Sequence, residues 1–465
     1  MKAWERELEI INNAVPVYDD DASGNEQIWE EQQTGPEEAE DGLCFIHWHS
    51  QVPGSRAHES ICTASIQATE NKGYIVDGGM DLIMEGLKIR EGENPDMVKL
   101  LQLEQEVYNA CYKARKDESS PYWKQKFYDS FEEYEKAVNF KEKKEVNGDE
   151  FDKTYAGWLS QIIGGAYGTC IEGYTADAIK KKYNGEVRKY VRKPNTYNDD
   201  ITYELALLLA YDRKGKETTA KDIALEWVSR IPSGWSAEEW ALRNLKAGIL
   251  PPESGRFNNP FNEWIGAQMR GAICGQLYPG NLKEAARCAF MDASISHDRN
   301  GILGEVFNAM MVSLGYVEND VKKILTTCID LIPEDSEYGS VIRFAYNECL
   351  KHDNYYDAWK VCEAKYNHYN WIHAYPNACA EVVALYYGNG EFEDTLAICG
   401  GCGQDVDCNA AQVMTILGVI NGSDFIPEYW KAPIGDELIT YVRGIKKMSI
   451  KGLAKQTVEV ANKLK

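Results

Sequence analysis

Gly400-Gly401-Cys402-Gly403-Gln404-Asp405-Val406-Asp407-Cys408-Asn409-Ala410-Ala411 is the stretch on which the reading of this chain turns. Glycines lead into two carboxylates at i and i+2, and small and apolar residues follow through Val413, Ile416, Leu417 and Val419. Such a run predicts a buried helix. Two aspartates at its head can turn toward one point, and oxygen donors of this kind suit hard cations such as Mg²⁺ or Ca²⁺. Simple capping of the helix N-terminus would suit the same positions.

A second element strengthens the metal reading. Asn198-Asp199-Asp200 precedes the apolar run Ile201 to Ala210, again an acidic start to a helix. Adjacent carboxylates on a first helical turn repel one another unless solvent, the helix dipole or a cation offsets the charge. Two such pairs could meet across a helical core and hold one or two metal ions.

Four blocks in order carry a resemblance to a known family. The first is Ile163-Gly164-Gly165-Ala166-Tyr167-Gly168-Thr169-Cys170-Ile171-Glu172-Gly173, and the second is Asn198-Asp199-Asp200-Ile201-Thr202. The third is Ile265-Gly266-Ala267-Gln268-Met269-Arg270 with Ser296-His297, and the fourth is Gln404-Asp405-Val406-Asp407-Cys408-Asn409, followed by Pro427 and Trp430. Together they resemble the ADP-ribosylglycohydrolases, including the dinitrogenase-reductase-activating type, over roughly residues 154 to 445. The pattern is closest to a longer, divergent branch. Gly164-Gly165-Ala166 lacks an aspartate usual in the family's opening block, Asn198 stands for a threonine, and Cys408 stands for a hydroxyl ligand. A thiol is a poor Mg²⁺ ligand.

The resemblance implies an all-α fold, a compact multi-helix bundle with a cleft lined by helix N-termini. It implies hydrolysis at the anomeric carbon of an ADP-ribosyl or ribosyl group, on a small molecule or a modified protein. Asp199, Asp200, Asp405 and Asp407 would hold one or two Mg²⁺ ions (with Mn²⁺ as the alternative), with Asn198 and Cys408 as further positions in the ligand set. Glu172 would activate water. Gly266, Ala267 and Gln268 would form the diphosphate or ribose wall, where backbone N–H groups can receive phosphate oxygens, and His297 would be a pocket histidine. His373 and Asn377, before another small-residue helix, are plausible pocket groups. Arg270 reads better as the partner of a buried carboxylate than as a phosphate ligand.

Size and charge bound these expectations. A chain of 465 residues is long enough for more than one domain. Fifty basic against seventy-three acidic residues give a net charge of −23, which disfavours a nucleic-acid duplex as partner. Thirteen cysteines without paired spacing point to reduced thiols in a cytoplasm rather than to a disulfide framework. The start lacks the apolar core of a signal peptide, and no run approaches membrane-spanning length.

Residues 1–150 read as an N-terminal extension of unassigned role, mostly helical from about Met97, and 151–465 as the catalytic domain. The acidic stretch from Asp19-Asp20-Asp21 to Glu37-Glu38-Ala39-Glu40-Asp41 reads as solvated surface. Cys44, His47, His49, His58 and Cys62 match no zinc spacing, and their HxH alternation suits a short strand. Trp123, Phe127, Phe131, Tyr134 and Val138 recur at helical spacing after Ser120-Pro121 and predict a core-facing helix. The charged stretch Lys141–Lys153 marks a boundary. Pro251 to Pro260 reads as a long ordered loop, and the tail after Asp436 as outer, lysine-rich helices. The CxxC at Cys399–Cys402 reads as incidental. Two other functions remain open from the sequence: a non-catalytic ligand-binding or structural relative, and a glycosidase of a different sugar.

Overall fold

The computed structural model describes residues 1–15 and 29–465, so the Asp19-Asp20-Asp21 run lies outside the described residues. The described chain is built almost wholly of helices, with four two-stranded pairs of two or three residues per strand. This is the all-α architecture expected.

At its centre the helix Glu150–Gly168 lies against the helix Val406–Asn421. Asp149 starts the first of these by accepting from the N–H groups of Phe151 and Asp152. Both helices are buried around nearly their full circumference, so small residues decide how closely they approach. A Cβ on Gly164 would collide with the backbone at Ala410, and one on Gly168 with the backbone at Asp407. Glycine there costs helix propensity, but it lets the first turn of the Asp407 helix sit against the end of its partner. Asn300–Gly315 and Ala374–Gly388 complete the buried layer. Outer helices are amphipathic. Ile450–Leu464 buries Ile450, Leu453, Ala454, Thr457, Val460, Ala461 and Leu464, one stripe at helical spacing.

Four sequence expectations need correction. The Trp123–Val138 stripe is not one helix. It divides into a 3-10 turn, Pro121–Lys124, and a short helix, Phe131–Ala137, started by Ser120 and Ser130 respectively. Between them tertiary bonds prevail over local periodicity: Lys126 N–H donates to Asp335 O, and the Tyr128 hydroxyl to Asp335 Oδ1. Helix also begins well before Met97, in Ile61–Asn71 and Gly79–Arg90 among others. His47 closes the helix Trp29–Trp48 rather than a strand and bonds Glu104 at 2.8 Å, while His49 pairs with His58. After Asp436 a hairpin, Glu437–Ile439 with Lys447–Ser449, precedes the final helix.

The N-terminal region packs directly on the rest. The Tyr174 hydroxyl donates to Ser55 O, Lys72 reaches Asn262, and Lys144 N–H donates to Gly280 O. No helix of the described residues is long and apolar enough to cross a membrane.

Candidate active site

Glu172 lies four residues beyond the end of the Glu150–Gly168 helix. The chain then pairs as a two-residue strand, Tyr174–Thr175, with Gly403–Gln404, and Gly173 N–H donates to Gln404 O at 2.8 Å. Gly403 and Gln404 both have positive φ, 71° and 67°, which turns the backbone into the next helix. These short contacts bring Glu172 beside Asp405 and Asp407, although 233 residues separate Glu172 from Asp405 in sequence (405 − 172). The second acidic pair arrives from Asp200–Lys214, whose head faces the same place.

Neither Asp199 nor Asp405, each the N-cap residue of its helix, makes a side-chain capping bond. Asn198 takes that work instead, its Oδ1 accepting from Asp200 N–H at 2.6 Å. Behind the loop, Asn377 Oδ1 accepts from Asp405 N–H and from Asn409 Nδ2, and its own amide donates to Trp371 O and His373 O. The Asp199 and Asp405 carboxylates are thus not used for capping, while neighbouring amides pin the backbone at both helix heads.

Glu172, Asn198, Asp199, Asp405, Asp407 and Cys408 line one cavity of about 430 Å³. Asp200 lies just behind, buried, with Oδ1 accepting from Cys408 Sγ at 3.3 Å and Oδ2 without any hydrogen-bond partner. Ligand atoms of Asp405, Asp407 and Cys408 fall within 4.8 Å of one another. Electrostatics register the crowding. Burial, then Asp407 and Asp405, push the Glu172 carboxyl well above its ordinary range. Asp199 is exposed to solvent, and its crowded surroundings and Asp407 push its carboxyl above the ordinary range. Asp200 rises well above its usual value through burial and Asp199, and Asp405 through burial and Asp407. No Arg, Lys or His is among the residues lining this cavity. An orphaned buried carboxylate oxygen amid oxygen donors, with no counter-charge on the wall, is the donor chemistry of a hard divalent cation.

Other sequence-picked residues fall elsewhere. Gly266 lines the cavity, but Ala267 and Gln268 do not. Ala267 N–H is already bonded to His297 Nε2, Ile265 N–H to Ile372 O, and the Gln268 side chain to Glu381 and Tyr338. Of the expected phosphate-receiving wall, Gly266 is thus the member that lines the cavity, while Ala267 N–H and the Gln268 side chain are spent on internal bonds. His297 is fully buried with Nδ1 on Ser296 Oγ, and burial pushes its pKa well down. His373 heads the Ala374–Gly388 helix, its Nδ1 accepting from Tyr375 N–H. Neither histidine nor Asn377 reaches the cavity, because each ring or amide is spent inside the protein. Arg270 is fully buried and bonds Glu238 at 2.8 Å and Asp292 at 2.6 Å, the carboxylate role its sequence suggested.

The cavity also uses groups that the sequence did not single out. Tyr197, Tyr203, Trp235, Trp371 and Tyr441 supply aromatic walls, and Glu238 a further carboxylate. Ile46, Ser50 to Pro53 and Glu59 close one side, so the N-terminal region forms part of the site. Tyr197 and Trp371 adjoin quoted motifs and had that much signal. Trp235, Glu238 and Tyr441 come from separate segments and had none.

Comparison with known proteins bears on the family and the fold. The family model for ADP-ribosylglycohydrolase matches residues 147–463. The chain is similar to an uncharacterised protein of Archaeoglobus fulgidus, 26% identical over 296 residues, covering 60% of this chain and 90% of that protein. A solved structure described as an ADP-ribosylglycohydrolase-related protein complex superposes with a TM-score of 0.50 at 17% identity, over 68% of this chain and 99% of that one. At that identity the likeness speaks for the fold alone.

Proposed function

The chain belongs to the ADP-ribosylglycohydrolase family, and from that premise we propose that it hydrolyses the glycosidic bond at the anomeric carbon of an ADP-ribosyl or ribosyl group. The observation that carries the reading is the convergence of Glu172, Asp199, Asp405 and Asp407 on one cavity with no basic residue in its lining, with Asp200 buried just behind. Asp199, Asp200, Asp405 and Asp407 would hold one or two Mg²⁺ or Mn²⁺ ions. Such an ion, when bound, supplies concentrated positive charge that orients ribose hydroxyls and acidifies water. Cys408 stays a protonated thiol, raised by burial and by Asp200, and donates to Asp200 rather than acting as a ligand.

Glu172 would be the proton acceptor: its carboxyl lines the cavity beside Asp405 and Asp407, and a cation held by those aspartates would offset the negative charge that favours its protonated form, leaving a carboxylate able to take a proton from the attacking water. As the glycosidic bond breaks, positive charge grows on the ribose ring, and the acidic surround stabilises it. Trp235, Trp371 and the three tyrosines offer faces against which a sugar or a planar aglycone can rest.

The test is hydrolysis of ADP-ribosylated protein and of ribosyl compounds by the full chain with and without Mg²⁺. Glu172→Gln and Asp405→Asn should each lower kcat by about 10²–10⁴-fold, the usual contribution of such groups. Ligand binding with no turnover on any glycoside would instead identify a non-catalytic relative.

A further inference from the structure

We propose that a second cavity, between the N-terminal helices and the 258–262 and 298–299 segments, binds a small phosphate monoester through Lys72 and Arg299. It stands independently of the glycosidase reading. The cavity measures about 350 Å³ and is lined by Lys72, Arg256, Arg299 and a single carboxylate, Asp298, with Tyr74, Tyr112 and Tyr122 in its walls. In a chain of net charge −23, three cations around one carboxylate are out of keeping with the rest of the surface.

The partners of each cation show which charge is spare. Arg256 is spent, its Nε donating to Asp298 Oδ1 at 2.9 Å. Lys72 Nζ donates only to neutral oxygens, Asn259 O at 3.2 Å and Asn262 Oδ1 at 2.8 Å. It forms no ion pair among the described residues. Burial lowers its pKa to about 8, opposed by the more distant Glu263 and Asp298. Glu263 is itself occupied by the Tyr122 hydroxyl and Asn300.

Arg299 adopts a left-handed backbone, φ 51°, uncommon for a residue with a side chain. Its Nη1 reaches the Tyr122 hydroxyl at 3.4 Å, and Nε lies 3.7 Å from Asp298 Oδ2. Nε is buried with no hydrogen-bond partner. Its guanidinium rests 4.3 Å from the centre of the Phe127 ring, which fixes the fork in place.

The Lys72 ammonium meets only neutral oxygens, and Arg299 shares its carboxylate neighbour, Asp298 at 3.7 Å, with Arg256, so the positive charge around this cavity exceeds the anionic acceptors in its lining. Phosphoryl oxygens accept from both kinds of donor. The space exceeds what one phosphate fills, and the tyrosine faces suit a planar group. Asn259 and Asn262 begin the stretch that ends at Ile265 and Gly266 on the acidic cavity, so one loop serves both sites.

Isothermal titration calorimetry of the full chain with phenyl phosphate, and with phenol as the phosphate-free control, tests the proposal without added Mg²⁺, and neither probe carries a ribosyl group. Phenyl phosphate should bind saturably and phenol at least about tenfold more weakly, a difference of roughly 1.4 kcal/mol. Lys72→Met and Arg299→Gln should each weaken phenyl phosphate by at least about tenfold. Should Lys72→Met fail to fold by circular dichroism, Arg299→Gln is read alone. No saturable phenyl phosphate binding, equal affinity for phenol, or affinity untouched by the cation variants would overturn the site.

Discussion

Asn377 touches nothing in the cavity yet holds the loop that presents Asp405. Removing its amide in Asn377→Ala leaves Asp405 N–H buried without an acceptor, at a cost of about 1–3 kcal/mol. Urea denaturation should read that loss, and Mg²⁺ affinity by calorimetry should fall with it. Glu381 gives a pH-dependent expectation. Burial raises its pKa from 4.5 to about 8, and its Oε2 has no partner. Between those values the folded state binds the extra proton, so Glu381's stabilising contribution is complete below 4.5 and is lost as pH rises through about 8. Glu381→Gln should therefore melt above the wild type at pH 8 and flatten the fall in Tm between pH 5 and pH 8, because the amide stays neutral throughout. At this scale the sequence was legible where chemistry and spacing coincide, as in Asp199-Asp200 and Asp405-Val406-Asp407. It was misleading where a polar residue could serve either a pocket or the interior. His297, His373 and Gln268 have the composition of ligands, but only tertiary partners decide which way each atom bonds.

The elements that matter most are two helices whose backbones nearly touch. Gly168→Ala adds one carbon where the backbone of Asp407 already sits. Overpacking of this kind costs about 1–3 kcal/mol, and here it would also displace the acidic turn. Chemical denaturation should show the loss of stability, and the loss of activity should exceed what the unfolded fraction explains. The small-residue texture of this pair was readable in advance because Gly164, Gly165 and Gly168 recur near one face. The Trp123–Val138 segment shows the opposite case. Its aromatic residues keep helical spacing, but Asp335 takes up Lys126 N–H and the Tyr128 hydroxyl, and the periodicity dissolves into two short turns. Periodicity records which residues face inward, and it cannot record which distant carbonyl competes for a backbone donor.

Across the whole molecule, charge and site are linked. The cavity gathers carboxylates in a chain that already carries −23, so a cation that binds there should stabilise the fold by mass action. At Mg²⁺ a hundredfold above Kd the gain is about 2.7 kcal/mol. Differential scanning fluorimetry should show an upward shift in Tm with Mg²⁺, absent in Asp405→Asn. The contribution of the N-terminal region to the cavity could not be read from the sequence, since Ile46 and Ser50 to Pro53 carry no chemical signature and meet the carboxylates only through folding.

That wall has a consequence for reach. Ser50 to Pro53 line the cavity together with Trp235 and Tyr441, and the buried carboxylates of Glu172, Asp405 and Asp407 form its acidic floor. A scissile bond lying flush with the face of a folded macromolecule could not be lowered to it. Targets would have to offer the sugar at the tip of a slender stem, such as an extended side chain or a freely diffusing metabolite, and the depth of the recess would screen candidates by silhouette before any chemistry began.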